Sequence, residues 1–109
     1  MPEFEPTPSV EVDAVPALMA AGAQLLDVRE QYEWDAGHAP DARLIPMSEF
    51  QERASTLSQD IQWLVICQSG VRSDRVTQYL LLEGYDAVNV AGGMNAWQAA
   101  GFDVVPARA

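Results

Sequence analysis

The stretch Trp63-Leu64-Val65-Ile66-Cys67-Gln68-Ser69-Gly70-Val71-Arg72-Ser73 decides how the chain is read. An apolar run ends in the only cysteine, a small polar loop with one glycine follows, and the spacing beyond it predicts a helix from Ser73 through Glu83. Strand, tight loop and helix N-terminus together make an anion site, because unpaired backbone N–H groups converge there and the helix dipole adds to them. A cysteine at the lip of such a loop should be acidified. Free thiols titrate near ~8.5, and those in electropositive loops or at helix N-termini at roughly 3.5–7.5. The expectation is a reactive Cys67 thiolate facing a pocket for a negatively charged group. The N–H groups of Gln68, Ser69, Gly70, Val71, Arg72 and Ser73 would line that pocket without help from side chains, and Gly70 gives the loop a residue free of Cβ restrictions. On its own, a lone cysteine reads as a small buried hydrophobe. Its place at the C-terminal end of a central strand, the edge where open α/β sheets bind ligands, favours the reactive reading.

Outward from this stretch, strands and helices alternate. Val10 and Val12 flank Glu11 as a short first strand. Asp13 is placed as an N-cap, with Pro16 tolerated in the first turn and Val15, Leu18 and Met19 on the apolar face; Gly22 ends that helix. Gln24 to Val28 reads as a buried parallel strand, and residues 30–36 as a short helix carrying Tyr32 and Trp34. Gly37 breaks the chain before the turn His38-Ala39-Pro40-Asp41. Arg43 to Ile45 is a further strand, stopped by Pro46. Ser48 with Gln51 forms a capping-box pattern for a helix through about Ala54, and residues 55–60 are loop. Gln62 to Ile66 is the strand under the cysteine loop. Val76, Tyr79, Leu80 and Leu81 should pack the following helix on the sheet, with Gly84 as its cap. Ala87 to Val90 is the last strand, and Met94 to about Ala100 the last helix, ended by Gly101. Residues 1–7 read as a flexible lead-in in which Phe4 packs, and residues 102–109 run on as a tail. The alternation argues for a parallel sheet with helices on both faces.

Composition narrows the function. With 109 residues and 49% hydrophobic content, the chain holds one domain with one core. A single cysteine excludes an internal disulfide framework and points to a reducing compartment. No run of 18 apolar residues and no basic-then-apolar N-terminal leader is present, so the expected location is cytoplasmic. The net charge is −10 and all six basic residues are arginines, which argues against nucleic acid and membrane surfaces as partners. One histidine and one cysteine far apart make no metal site.

Three motifs resemble the single-domain rhodaneses. Leu26-Asp27-Val28-Arg29-Glu30 followed by Gly37-His38-Ala39-Pro40-Asp41-Ala42 is similar to the family's first signature, Cys67 to Ser73 to its active-site loop, and Gly84-Tyr85 with Gly92-Gly93-Met94-Asn95-Ala96-Trp97 to its C-terminal signature. They stand in family order and spacing, and cover about residues 9–105. The resemblance implies a three-layer α/β fold with a five-stranded parallel sheet in the order 1-5-4-2-3, a domain spanning residues 8–105 and a tail at 106–109. It implies a sulfurtransferase in which Cys67 takes a sulfane sulfur from thiosulfate or a persulfide and passes it to cyanide, a small thiol or a protein thiol. No cofactor is implied, and the expected assembly is a monomer or weak homodimer.

Within that expectation, Arg72 is the one cation of the loop. It either attracts an anionic donor or pairs with a carboxylate, Glu30 being the candidate, to brace the loop. Asp27 and Arg29 are read as a buried polar brace rather than an acid–base pair. His38 is read as packed in its turn and bonded to backbone, and Trp34 and Trp97 as core or pocket wall. Phosphatases and arsenate reductases of similar fold also use a cysteine loop ending in arginine, but phosphatase loops hold one residue more between the two than the four here, Gln68 to Val71. A persulfide carrier or a docking module is the non-enzymatic alternative.

Overall fold

The computed structural model describes residues 6–106. The five strands are β1 (Ser9–Val10), β2 (Gln24–Asp27), β3 (Arg43–Leu44), β4 (Gln62–Ile66) and β5 (Asp86–Val90), all parallel, in the order β1-β5-β4-β2-β3. The helices are α1 (Val15–Ala20), α2 (Gln31–Ala36), α3 (Phe50–Arg53), α4 (Val71–Leu82) and α5 (Gly93–Ala99). No helix of the described residues is long and apolar enough to cross a membrane.

β4 is the keel. Its two-residue alternation sends Trp63, Val65 and Cys67 to one face, where they join Val76 and Leu80 of α4 and Phe50 of α3. Leu64 and Ile66 go to the other face, against Val15 of α1 and Met94 and Trp97 of α5. Residues 64–67 are wholly buried, as a central strand with both faces covered requires. Register then sets the site. Asp27 lies opposite Ile66, and Asn89 opposite Val65, so β2, β4 and β5 bring their C-terminal ends to one edge beside Cys67.

Several local expectations give way to tertiary contacts. The first strand stops at Val10, because Val12–Ala14 turns into a 3-10 helix that leads into α1; Asp13 lies inside that turn and is no cap. The segment expected as one capped helix from Ser48 is a 3-10 turn, Met47–Glu49, followed by the four-residue α3. Ser48 does not cap, because its hydroxyl donates to the Glu30 carboxylate at 2.6 Å. Leu81 is 39% exposed, since Val76 and Leu80 fill the sheet-facing stripe of α4. The expected tail is pinned: Phe102 meets the Trp97 ring edge-on, and His38 and Val105 exchange two 2.7 Å backbone hydrogen bonds. Phe4 and residues 107–109 lie outside the described residues.

Leu80 is fully buried against β4. Truncation there leaves a cavity that a close-packed interior cannot close. Leu80→Ala is expected to cost about 2–5 kcal/mol in denaturant unfolding, whereas Leu82→Ala, at an 86% exposed position, should change stability by less than about 0.5 kcal/mol.

Candidate functional site

The loop after β4 turns its amides toward Cys67 because of what lies behind it. The carbonyl of Cys67 accepts the Met94 N–H at 2.8 Å, and that of Gln68 accepts the Asn95 N–H at 3.0 Å. These are orphan donors from the first turn of α5, so the loop caps that helix. In a trans peptide the carbonyl and the next N–H point in opposite directions. Anchoring these two carbonyls on α5 therefore turns the next amides, Gln68 and Ser69, the other way, and the Ser69 N–H is one of the donors to the sulfur. Gly93 makes the approach possible. With φ +54° it packs directly on this backbone, and a Cβ there would collide with the Cys67 carbonyl and lie 2.8 Å from Gln68 C.

Around the sulfur, Gly70 N–H donates to Cys67 Sγ at 3.1 Å and the Ser73 hydroxyl approaches it at 3.2 Å. The N–H groups of Ser73 and Ser69 add to them. Burial pushes the thiol up, but these donors outweigh it, the Ser73 hydroxyl foremost, and the net shift is downward from the ordinary thiol value. The expected backbone donors are joined by one side chain: the Ser73 hydroxyl is part of the cradle. The thiolate expected to face a pocket is covered. Cys67 is 0% exposed, because the loop wraps the thiol and uses it as the acceptor at its centre. A groove of about 330 Å³, lined by Arg29, Tyr32, Glu33, Gly37, Gln68 and Gln98, meets the loop at Gln68.

Asn89 is a site residue that sequence reasoning missed. Its Nδ2 donates to the Gly70 carbonyl at 3.1 Å. That carbonyl only accepts, so the amide orientation is fixed and Oδ1 must face Ser73, 2.5 Å from its hydroxyl. The hydroxyl thus has one proton for two acceptors, Asn89 Oδ1 and Cys67 Sγ. The available signal was a single amide inside the apolar strand Ala87-Val88-Asn89-Val90.

The supporting residues fall into two groups. Asp27 and Arg29, both buried, form the expected brace: the guanidinium grips the carboxylate through Nε and Nη2, and reaches the Gly37 carbonyl at 2.8 Å and Gln68 Oε1 at 3.2 Å. Gln68 passes the tie on to Asn95. His38 bonds the Trp34 carbonyl through Nδ1 and stacks on the Trp34 ring, centroids 3.6 Å apart. Arg72 does pair with a carboxylate, but Glu30 is the wrong one. The partner is Glu33, gripped at 2.7 and 2.9 Å by both terminal nitrogens. Glu30 precedes α2 in an extended conformation and its carboxylate turns to Ser48, while Glu33 sits almost a turn further on and faces the loop. The Arg72 hydrogen bond holds the Glu33 carboxyl below its usual range, and Glu33 in turn raises Arg72. Val71 contributes an exposed side chain at the loop's outer rim.

A depressed thiol pKa makes alkylation begin at lower pH than for a free cysteine. The rate of iodoacetamide modification of Cys67 against pH should show a midpoint below that of a model thiol. Ser73→Ala should move that midpoint up, since it removes the strongest donor; an unchanged midpoint would place the hydroxyl outside the cradle. Gly93→Ala should cost on the order of 1–3 kcal/mol and release the loop amides, so its alkylation midpoint should rise as well.

The chain is similar to known proteins over most of its length. The rhodanese-like domain profile matches residues 11–100. YtwF of Bacillus subtilis, provisionally named a sulfurtransferase, is 45% identical over 74 residues, covering 68% of this chain and 72% of its own. Thiosulfate sulfurtransferase 18 of Arabidopsis thaliana is 37% identical over 113 residues, covering 88% and 82%. The crystal structure of a rhodanese-related protein from Thermoplasma volcanium superposes with a TM-score of 0.85 at 33% identity, covering 90% of this chain and 97% of that one.

Proposed function

Because the chain belongs to the rhodanese-like domain family, whose named relatives include sulfurtransferases, we propose that it transfers a sulfane sulfur through a persulfide on Cys67. The observation that carries this reading is the convergence of the Gly70 N–H and the Ser73 hydroxyl on one sulfur at the end of β4. In the first step the Cys67 thiolate attacks the outer sulfur of the donor. A Cys67 S–S bond forms, the donor's S–S bond breaks, and its electron pair leaves with sulfite (from thiosulfate) or with a thiolate (from a persulfide). In the second step an acceptor, cyanide or a thiolate, attacks the outer sulfur. It leaves as thiocyanate or a new persulfide, and the Cys67 thiolate returns. With no second cysteine in the chain, the acceptor is external.

The cradle suits this cycle. A persulfide places its outer sulfur about 2.05 Å beyond Sγ, and donors that serve the thiolate can serve that charge when the loop relaxes around it. Access is the demanding part: a donor must part the cover that leaves Cys67 without exposure. Phosphoryl chemistry is disfavoured on two counts. The loop is one residue short, and both terminal nitrogens of Arg72, its anion-binding fork, are engaged by Glu33. Because that arginine is engaged, persulfides should be better donors than thiosulfate.

Incubation with thiosulfate or with glutathione persulfide, followed by mass spectrometry, should show a gain of one sulfur on the wild type and none on Cys67→Ser, with faster loading by the persulfide. A wild type that gains no sulfur from either donor sinks the reading and leaves a docking module. Aryl phosphate hydrolysis should be absent in both proteins.

A further inference from the structure

We propose that Glu33 is a specificity-determining residue: by occupying Arg72 it removes the only cation of the loop as a recognition charge, and so tunes the site away from highly charged anionic sulfur donors. The inference rests on the sulfur-transfer reading and adds to it the charge class of the donor.

Arg72 is the single basic residue between Cys67 and the end of α4's first turn. Its guanidinium is half-buried and faces Glu33 in a two-point fork, the geometry that most fully satisfies both groups. Glu33 is itself fixed, since its Oε1 also accepts the Glu30 N–H at 3.1 Å and it is more buried than its partner. It therefore cannot swing aside as an exposed carboxylate would. The other arginine at this edge, Arg29, is matched in the same way by Asp27. Arg29, which lines the groove, and Arg72, held by the groove's Glu33, thus both arrive already neutralised, in a chain with a net charge of −10. An approaching dianion meets two ion-pair dipoles instead of two charges, and what remains to attract it is the short-range field of the loop amides. Such a field favours a compact terminal sulfur over a large dispersed anion.

Glu33→Gln tests this with little change of size. An amide oxygen at the Oε1 position still accepts from the Glu30 N–H and Arg72 Nη1. The NH2 at the Oε2 position faces the Nη2 donor, so one arm of the fork opens and the charge is gone. The readout is the rate of Cys67 alkylation by iodoacetate relative to iodoacetamide, two reagents that differ in charge and share one leaving group, so that any change in thiol ionisation cancels in the ratio. Glu33→Gln should raise the ratio several-fold, and added salt should erase the gain, as expected for an interaction screened within about 10 Å at 0.1 M. The KM for thiosulfate should fall several-fold with little change in kcat. Glu33→Asp, which keeps the charge, should hold the wild-type ratio, and Arg72→Gln, which leaves Glu33 bare, should lower it. If Glu33→Gln slows both reagents equally and the ratio stays put, Glu33 only braces the loop and the inference fails while sulfur transfer stands. If neither reagent reaches the wild-type sulfur, the sulfur-transfer reading falls first and takes this one with it.

Discussion

The site depends on two hydrogen bonds that touch neither sulfur nor substrate. Met94 and Asn95, at the start of α5, hold the carbonyls of Cys67 and Gln68. A helix start needs acceptors and a loop with inward amides needs its carbonyls held outward; each element supplies what the other lacks. Gly93 is the hinge of the exchange, since no side chain fits between α5 and the loop. This ties the Gly-Gly pair near the C-terminus to chemistry at Cys67, twenty-five residues earlier in the sequence, without a single side-chain contact to the thiol.

Electrostatics at the site are local by construction. The chain is strongly acidic, and Arg29 and Arg72 beside the cysteine loop are each matched by a carboxylate. A thiolate there is held by dipoles placed at 3.1–3.2 Å, where direction matters more than net charge. Burial works against the thiolate and these donors work for it; the donors win. A sulfur with no exposure that is nonetheless acidified is the result of that contest. It shows why the loop closes on the thiol: donors that converge on one atom leave little room for water beside it.

Much of this was legible in the sequence because two strong signals coincide there. The run Gln62 to Ile66 was bounded correctly as a strand, since five central-strand residues followed by a polar loop leave little choice. The brace between Asp27 and Arg29 was legible because two charged residues beside a buried strand need each other. What could not be read was decided across the chain. Glu30 and Glu33 are chemically alike and three residues apart, and only the extended backbone before α2 sends one to Ser48 and the other to Arg72. Asp13 and Ser48 carry the chemistry of caps, but the backbone around each turns as a 3-10 segment and uses them otherwise. Asn89 becomes a site residue only through register, which sets it opposite Val65 and beside the loop.

Asn89 also shows how the fold restricts the hydroxyl beside the sulfur. Gly70 is left-handed at φ +103°, and a Cβ there would press on Gly92 N at 3.2 Å, so the loop takes one path across β5. On that path the Gly70 carbonyl meets Asn89 Nδ2, and the amide has no freedom to flip. Oδ1 is left competing with Cys67 for one proton of Ser73. A neutral thiol is the weaker acceptor and yields it; a thiolate is the stronger and draws it. The single proton of the hydroxyl is thus placed between an acceptor fixed by the fold and the sulfur.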